Sequence, residues 1–454
     1  MRGQRILTTF VLSLILIIST GGSSIEINNL EMQKKIQNSD AESQSNTSEV
    51  THEIYSEIPT WNVGDKWTYF TELNAATALP DNPDWDDADL NELLTGNTLI
   101  EINDFSTYDY QGTSVPVYLR TYSGTYGGPA VFPTPDGVDL LLETISGTLF
   151  VEYQRTEYIR ASDLAILEIV GDIRIEFDHS FGTETLIDTE TSVKHIPAYE
   201  FYDFPISLNE SWSSFHTIEE SWNGNNGYFD VPSPSSDAEY AFEVVENGTP
   251  KHSFEGCEEA VNISNKNTDG EQIEWQWYCE STRSPTHWWI KDIAVNVDAE
   301  LTLVEFLPSE NIPQNSVTLE LDETFERLNA TLSDILNITI KVTDNAGAPL
   351  PSMSGKLNYC SQNINWTTDD NGTALIALDI GVLKDDTVTL YDWGSHGVVI
   401  WSGTNISVSA ITVVLNSSAV AEAIALRNEG SNLIKKSSIP ALELLRTFDE
   451  TMRW

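Results

Sequence analysis

The stretch ILEIVGDIRIEFDH, residues 166–179, alternates apolar and polar side chains along its whole length. A strand turns successive side chains to opposite faces, so a period of two reads as a half-buried strand. Ile169, Ile173, Ile175 and Phe177 share one face, and Glu168, Asp172, Arg174, Glu176 and Asp178 share the other. VPVYLRTY and TLFVEYQRTEYI follow the same grammar. The chain is therefore expected to be mainly β from TWNVGDKWTYF, residues 60–70, to about residue 312. Its sheet would form either a half-barrel or a sandwich. One helix is expected, over DWDDADLNELL, residues 84–94, whose first turn carries the acids that a helix dipole favours.

Residues 316–416 shorten the spacing. VTLEL, LNITIKVT, GKLNY, ALIALDI, TVTLYDW, VVIWSG and SAITVVL are seven short strand-like runs separated by turns, the pattern of an Ig-like β-sandwich. Beyond them, AVAEAIALRNEG and ALELLRTFDETM are helix formers, so residues 417–454 are expected as a helical tail. The expected division is thus a signal segment at 1–24, a flexible linker at 25–57, a β-rich domain at 58–312, an Ig-like domain at 313–416 and the tail.

Charge sets the partners. The chain has 70 acidic and 23 basic residues and a formal net charge of −47. Such a surface repels phosphate backbones and anionic lipid, which excludes nucleic acid as a partner. Arg2 and Arg5 precede the apolar run Ile6–Ile18, which ends in small residues. That is the order of a secretory signal, and it is short for a membrane span. No membrane span is expected once the signal is cleaved. Ten N-x-S/T sequons fit an exported surface: Asn46, Asn209, Asn247, Asn262, Asn329, Asn337, Asn365, Asn371, Asn405 and Asn416.

Cysteine usage points the same way. The stretch Cys257–Cys279 is centred on residue 268, inside NKNTDG. A hairpin folded there sets Cys257 opposite Cys279, Val261 opposite Trp275 and Ile263 opposite Ile273. A Cys257–Cys279 disulfide is expected, contributing roughly 3 kcal/mol by the loop-entropy model. The alternative is two buried thiols. Cys360 has no evident partner.

Few residues suggest chemistry. Residues 81–92 are acidic, but an EF-hand frame from Asp81 meets Pro83 and Asp86 where it needs an oxygen and a glycine, and a frame from Asp84 meets Ala88 and Asp89. A loosely held surface Ca2+ is the one cofactor that this run admits; otherwise none is expected. The histidines at 52, 179, 195, 216, 252, 287 and 396 lack metal-ligand spacing, so zinc has little support. WTTDDNGT, residues 366–373, reads as a hairpin turn with Asn371 and Gly372 at positive φ. In the hairpin register above, Trp275 and Trp277 face inward, leaving Trp288 as the candidate ligand contact.

Three resemblances bear on these residues. The Asp172-x-Arg174-x-Glu176 stripe resembles the E-x-D-x-E strand of jelly-roll glucanases. Arg174 stands where the central acid belongs, so the stripe reads as a solvated face. Asp344, Gly347, Pro349 and Leu350, followed by Thr368, Asp369, Asn371, Gly372 and Ala374, resemble a carboxypeptidase regulatory-like or bacterial Ig-like module. That resemblance implies a non-catalytic spacer or adhesion unit. WNVGDKWTY, then EYIRASDLAIL with Arg160, Ser162, Asp163 and Leu164, then FPISLNESW, resemble exported archaeal-type β proteins. In them the last motif has Gly where this chain has Asn209. Their architecture suggests a curved sheet like the half-barrels of exported lipid carriers.

The expected function is an exported cell-surface or envelope protein without a catalytic centre, whose β-rich domain binds a glycan, lipid or protein. The alternatives are a glycan-acting hydrolase and a carrier of an apolar ligand.

Overall fold

The computed structural model describes residues 54–74, 93–133, 144–225, 234–250, 252–267, 270–292, 297–309, 317–321, 325–384, 395–416, 418, 419 and 422. Its first strands are β1 (Ile54–Ser56), β2 (Lys66–Asn74), β3 (Leu94–Tyr110), β4 (Thr113–Pro133), β5 (Thr144–Arg160), β6 (Ile166–His179) and β7 (Gly182–Tyr199). Next come β8 (Ile206–Ser207), β9 (Ser211–Asn225), β10 (Ser235–Gly248), β11 (Ala260–Lys266), β12 (Gln272–Cys279), β13 (Ser284–Asp292) and β14 (Val297–Leu307). The protein is mainly β, and twelve of these strands form one closed antiparallel barrel. Neighbours in sequence are neighbours in the ring, except that β14 pairs with β2 and β7 pairs with β9. The sheet expected as a half-barrel or sandwich instead closes on itself. Closure leaves no unpaired edge, which a twisted sheet of this many long strands would otherwise expose.

Alternation decides which face turns in. On β6 the isoleucines and Phe177 are buried, and Asp172, Arg174 and Asp178 are exposed. Arg174 pairs with Glu176, so the acidic stripe is a solvated, partly ion-paired outer face. Trp67, Tyr69, Tyr118, Phe242 and Tyr278 are among the largest fully buried side chains. Each such burial contributes on the order of 2 kcal/mol.

The segment between β7 and β9 leaves the ring, and its short strand β8 pairs with β1. Strand β1, Ile54–Ser56, thus lies inside the stretch expected as linker. Asn209 takes φ 63° in the turn that follows. That left-handed conformation is open to glycine and, among other residues, best tolerated by asparagine. The EYIRASDLAIL segment makes the β5–β6 turn. There the Asp163 carboxylate accepts from the Ala165 amide at 3.0 Å and pairs with Arg160.

The remaining strands are β15 (Val317–Leu321), β16 (Phe325–Ala330), β17 (Ile335–Asp344), β18 (Ser354–Tyr359), β19 (Gln362–Thr367), β20 (Thr373–Asp379), β21 (Ser395–Ser402) and β22 (Asn405–Leu415). They form two sheets, β15-β17-β20 and β16-β22-β21-β18-β19, which share a core that includes Leu336, Ile338, Ile340, Leu357, Ile400 and Val413. TVTLYDW lies outside the described residues, as do the helix expected at 84–94 (except Leu93 and Leu94), the signal segment, Asn46 and the tail apart from 418, 419 and 422. Leu94 itself begins β3.

WTTDDNGT joins β19 to β20, which belong to different sheets. The segment is therefore a crossing between sheets rather than a hairpin, and Gly372 alone takes positive φ, at 71°. The Asp369 carboxylate accepts from the amides of Asn371 (2.8 Å) and Thr373 (3.0 Å), which holds its pKa below the usual carboxylate range. Asp344 repeats the device with the amides of Ala346 and Ala348, ahead of Gly347 at φ 77°.

The five-stranded sheet is buried on both faces at β21. Val398 and Ile400 enter its own core, while Val399 and Val408 join the barrel's core cluster. Trp401 meets Phe105 edge-on at 5.7 Å, and the Val408 amide donates to the Thr60 hydroxyl at 3.1 Å. Burial on both sides explains the unbroken apolar run GVVIWS, residues 397–402. Among the described residues, no helix is long and apolar enough to cross a membrane.

Candidate functional site

The β11–β12 register determines which aromatics are available for binding. Val261 pairs with Tyr278, Ile263 with Gln276 and Asn265 with Glu274. Val261 was expected opposite Trp275, so the register differs by three residues. An odd slip reverses every side chain on the second strand. The physical reason is that Cys257 lies outside β11, in a turn where its amide donates to Phe254 O and Gly256 takes φ 89°. Cys257 and Cys279 are joined by a disulfide. The bridge fastens a loop to the end of β12 and does not set the strand pairing.

Glu274, Gln276 and Tyr278 consequently face the interior, and so does Trp288, the partner of Gln276. Trp288 donates its indole N–H to Glu274 Oε1 at 2.5 Å, and Asn265 donates to Oε2 at 3.0 Å. Trp288 is thus a structural donor inside the barrel, not the outward ligand contact expected of it. Burial pushes the Glu274 carboxyl up to about 7, against the opposing pull of these two donors.

The rest of the interior is also occupied by the chain itself. Tyr202, from the segment that leaves the ring after β7, donates to Gln276 Oε1 at 2.9 Å. Arg120 and Arg155 each approach Glu157 to 2.6 Å. Arg155 also lies over the Tyr122 ring, 4.1 Å from its centroid. His195 and His216 face each other from β7 and β9. Paired ions and tyrosines share this space with the aliphatic side chains of the core.

The outer face of β12–β14 is different. Trp275 and Trp289 are cross-strand partners whose rings stack at 6.3 Å with planes 16° apart, and both are partly exposed. Trp289 donates to Asp298 Oδ2 at 3.2 Å. Trp277, on the same face, packs against the disulfide. His287 sits beside them with its ring 4.6 Å from that of Trp275, fully buried although it faces outward. Its cover includes His252, whose ring crosses it at 4.6 Å. His287 Nε2 lies 2.6 Å from Glu300 Oε1. One ligand atom from each of His252, His287 and Glu300 falls within 4.8 Å of the others, the one such cluster among the described residues.

Sequence reasoning missed this group because its members lie 35 and 13 positions apart and come from a loop and two strands. The β13–β14 register unites His287 and Glu300 and the loop ahead of β11 adds His252; the alternation of HWW with AELTLVEF is the signal that could have found His287 and Glu300. The sequon asparagines at 209, 247, 262, 329, 337, 365, 371, 405 and 416 are all exposed or partly exposed. Asn247 bonds Glu259, and Asn262 points away from the barrel interior. Cys360 is partly buried.

No protein-family profile matches this chain, and no curated protein matches it. Among solved structures it is similar to a β-barrel-like protein of a domain of unknown function from Brucella abortus. Identity is 11%, the TM-score 0.28, and the match covers 56% of this chain and 100% of that one. It is also similar to a Ca2+-stabilised adhesin with which an Antarctic bacterium binds ice (10% identity, TM-score 0.16, 80% of this chain and 92% of that one). A 1.5-MDa bacterial ice-binding adhesin matches at 10% identity and TM-score 0.17, over 70% of this chain and 98% of that one. Likeness at this level carries no functional argument.

Proposed function

We propose that this is an exported cell-surface or envelope protein whose barrel binds an extracellular glycan on the outer face of β12–β14. The two smaller sheets serve it as an Ig-like spacer. The observation that carries this reading is the parallel, partly exposed pair Trp275 and Trp289, flanked by the carboxylate of Asp298. Sugar rings present C–H faces that stack on indoles, while their hydroxyls need polar groups at the rim. Export is supported by the signal-like N-terminus, the sequons at surface positions and the disulfide.

A barrel carrying an apolar ligand would need an uncovered apolar lumen. Here Tyr202, Gln276, Glu274 and the Arg120–Glu157–Arg155 group stand in that space. Glycan-array binding of the secreted protein, with mass spectrometry of organic extracts, tests the choice. Retention of particular glycans with no stoichiometric lipid is expected. A tightly retained lipid would replace this reading with the carrier.

A further inference from the structure

We infer that His252, His287 and Glu300 form a binding site for one divalent transition-metal ion, with Zn2+ as the ion whose chemistry it fits. Two imidazoles and one carboxylate are a common zinc donor set, and three protein ligands leave a fourth position for water or an outside ligand. The three side chains converge from separate supports. His287 and Glu300 come from adjacent strands in register His287↔Thr302 and Trp289↔Glu300, which puts both on the outer face. His252 comes from the loop that precedes the disulfide.

That loop is fastened by short-range means. Cys257 is bonded to Cys279, Phe254 packs against the bridge, and Ser281 Oγ donates to Gly256 O at 2.6 Å. These contacts hold residues 254–257, and His252 follows with its ring 4.6 Å from that of His287. The cluster has the access a metal needs: His252 is exposed, the Glu300 side chain retains 32% of its accessible surface, and His287 is fully buried. Trp275 gives the buried ligand an apolar wall, of the kind that orients and dries a metal's inner ligands.

The His287–Glu300 distance needs little change, and the exposed His252, whose ligand atom lies within 4.8 Å of the others, has to turn inward onto the ion. Two donors bound at about 2.05 Å to a tetrahedral ion stand roughly 3.3 Å apart. His287 Nε2 and Glu300 Oε1 are 2.6 Å apart, so an entering ion has only to separate them by under ~1 Å, within side-chain rotation. The imidazole must give up the Glu300 contact as a hydrogen bond and present its lone pair, and a bound ion makes that exchange favourable.

This inference is independent of the glycan reading, because it concerns the ion alone. The test is calorimetric titration of ZnCl2 into the full secreted chain, without added histidines, in high salt with excess Ca2+ to saturate weak carboxylate sites. One Zn2+ per chain at micromolar or tighter Kd is expected. His252→Ala and Glu300→Gln alter accessible side chains and keep the barrel core intact; each should weaken binding roughly ten-fold or more. Quenching of tryptophan fluorescence by Cu2+ should saturate at the same stoichiometry and be lost in the same variants, since Trp275 adjoins His287. Absence of stoichiometric Zn2+ binding, or binding unchanged in His252→Ala, would overturn the assignment.

Discussion

His195 and His216 meet inside the barrel with ring centroids 4.8 Å apart and planes at 76°, and no ring nitrogen of either has a hydrogen-bond partner among the described residues. Tyr199 and Tyr240 close around them. Burial brings His195 down to about 3; it also holds His216 well below its usual range, with His195 adding to the effect. Both are neutral when folded, whereas the unfolded chain protonates near 6.5. Stability from this pair is full above pH 6.5 and is lost as pH falls toward 3. Denaturant titrations at pH 7 and pH 4.5 should show an acid loss on the order of 3 kcal/mol that the double variant His195→Phe, His216→Phe lacks. An identical acid loss in the variant contradicts this placement.

Glu274 runs the other way. Its folded pKa, about 7, lies above the unfolded value near 4.5, so the folded state holds a proton that the unfolded state has released. The penalty grows between pH 4.5 and 7 and stays constant above. Glu274→Gln should remove this part of the slope, worth on the order of 2 kcal/mol, as read from unfolding midpoints at pH 5 and pH 8. The sign separates it from the histidine pair within the same window.

Glu157 is fully buried between two guanidinium groups at 2.6 Å each. Glu157→Gln leaves two interior cations without their shared anion, at a cost of about 3–5 kcal/mol. Thermal unfolding should shift down by many degrees. A near-neutral result would mean that solvent reaches Arg120 and Arg155.

Gly397 holds the five-stranded sheet against the barrel. A Cβ built there would lie 1.8 Å from Ser162 O, a backbone atom that cannot rotate away. Gly397→Ala should prise the two bodies apart while each keeps its own core. The radius of gyration in solution should rise.

Reducing the Cys257–Cys279 bridge should lower stability by roughly 3 kcal/mol. It should also weaken metal binding by the same chain, since His252 then loses its tether. Unfolding and titration under reducing conditions measure both effects.

Strand existence and facing were legible wherever alternation ran long, as in β6. Turn chemistry was legible only in part: Gly372 takes the positive φ expected of it, but Asn371 does not, and the segment crosses between sheets. Barrel closure was not, because it depends on β14 meeting β2 across more than two hundred residues, and no local signal encodes that. The disulfide could be read from spacing, but the register could not. Symmetry about residue 268 assumed that Cys257 lay in a strand, and three residues of offset turned Trp275 outward and Glu274 inward. The strand that ends at Thr367 was legible from the turn after it, although its polar residues conceal the alternation that buries Trp366. The His252–His287–Glu300 cluster is a product of tertiary register alone.

The account rests most directly on Trp275 and Trp289 being the binding face while Trp288, beside them in sequence, is internal. Glycan binding by wild type, Trp275→Ala, Trp289→Ala and the unrelated surface variant Phe181→Ala, each checked for an unchanged melting temperature, decides it. The prediction is that both tryptophan variants lose binding at least ten-fold, about 1.4 kcal/mol, while Phe181→Ala binds as wild type. Undiminished binding in the Trp275→Ala and Trp289→Ala proteins would contradict it.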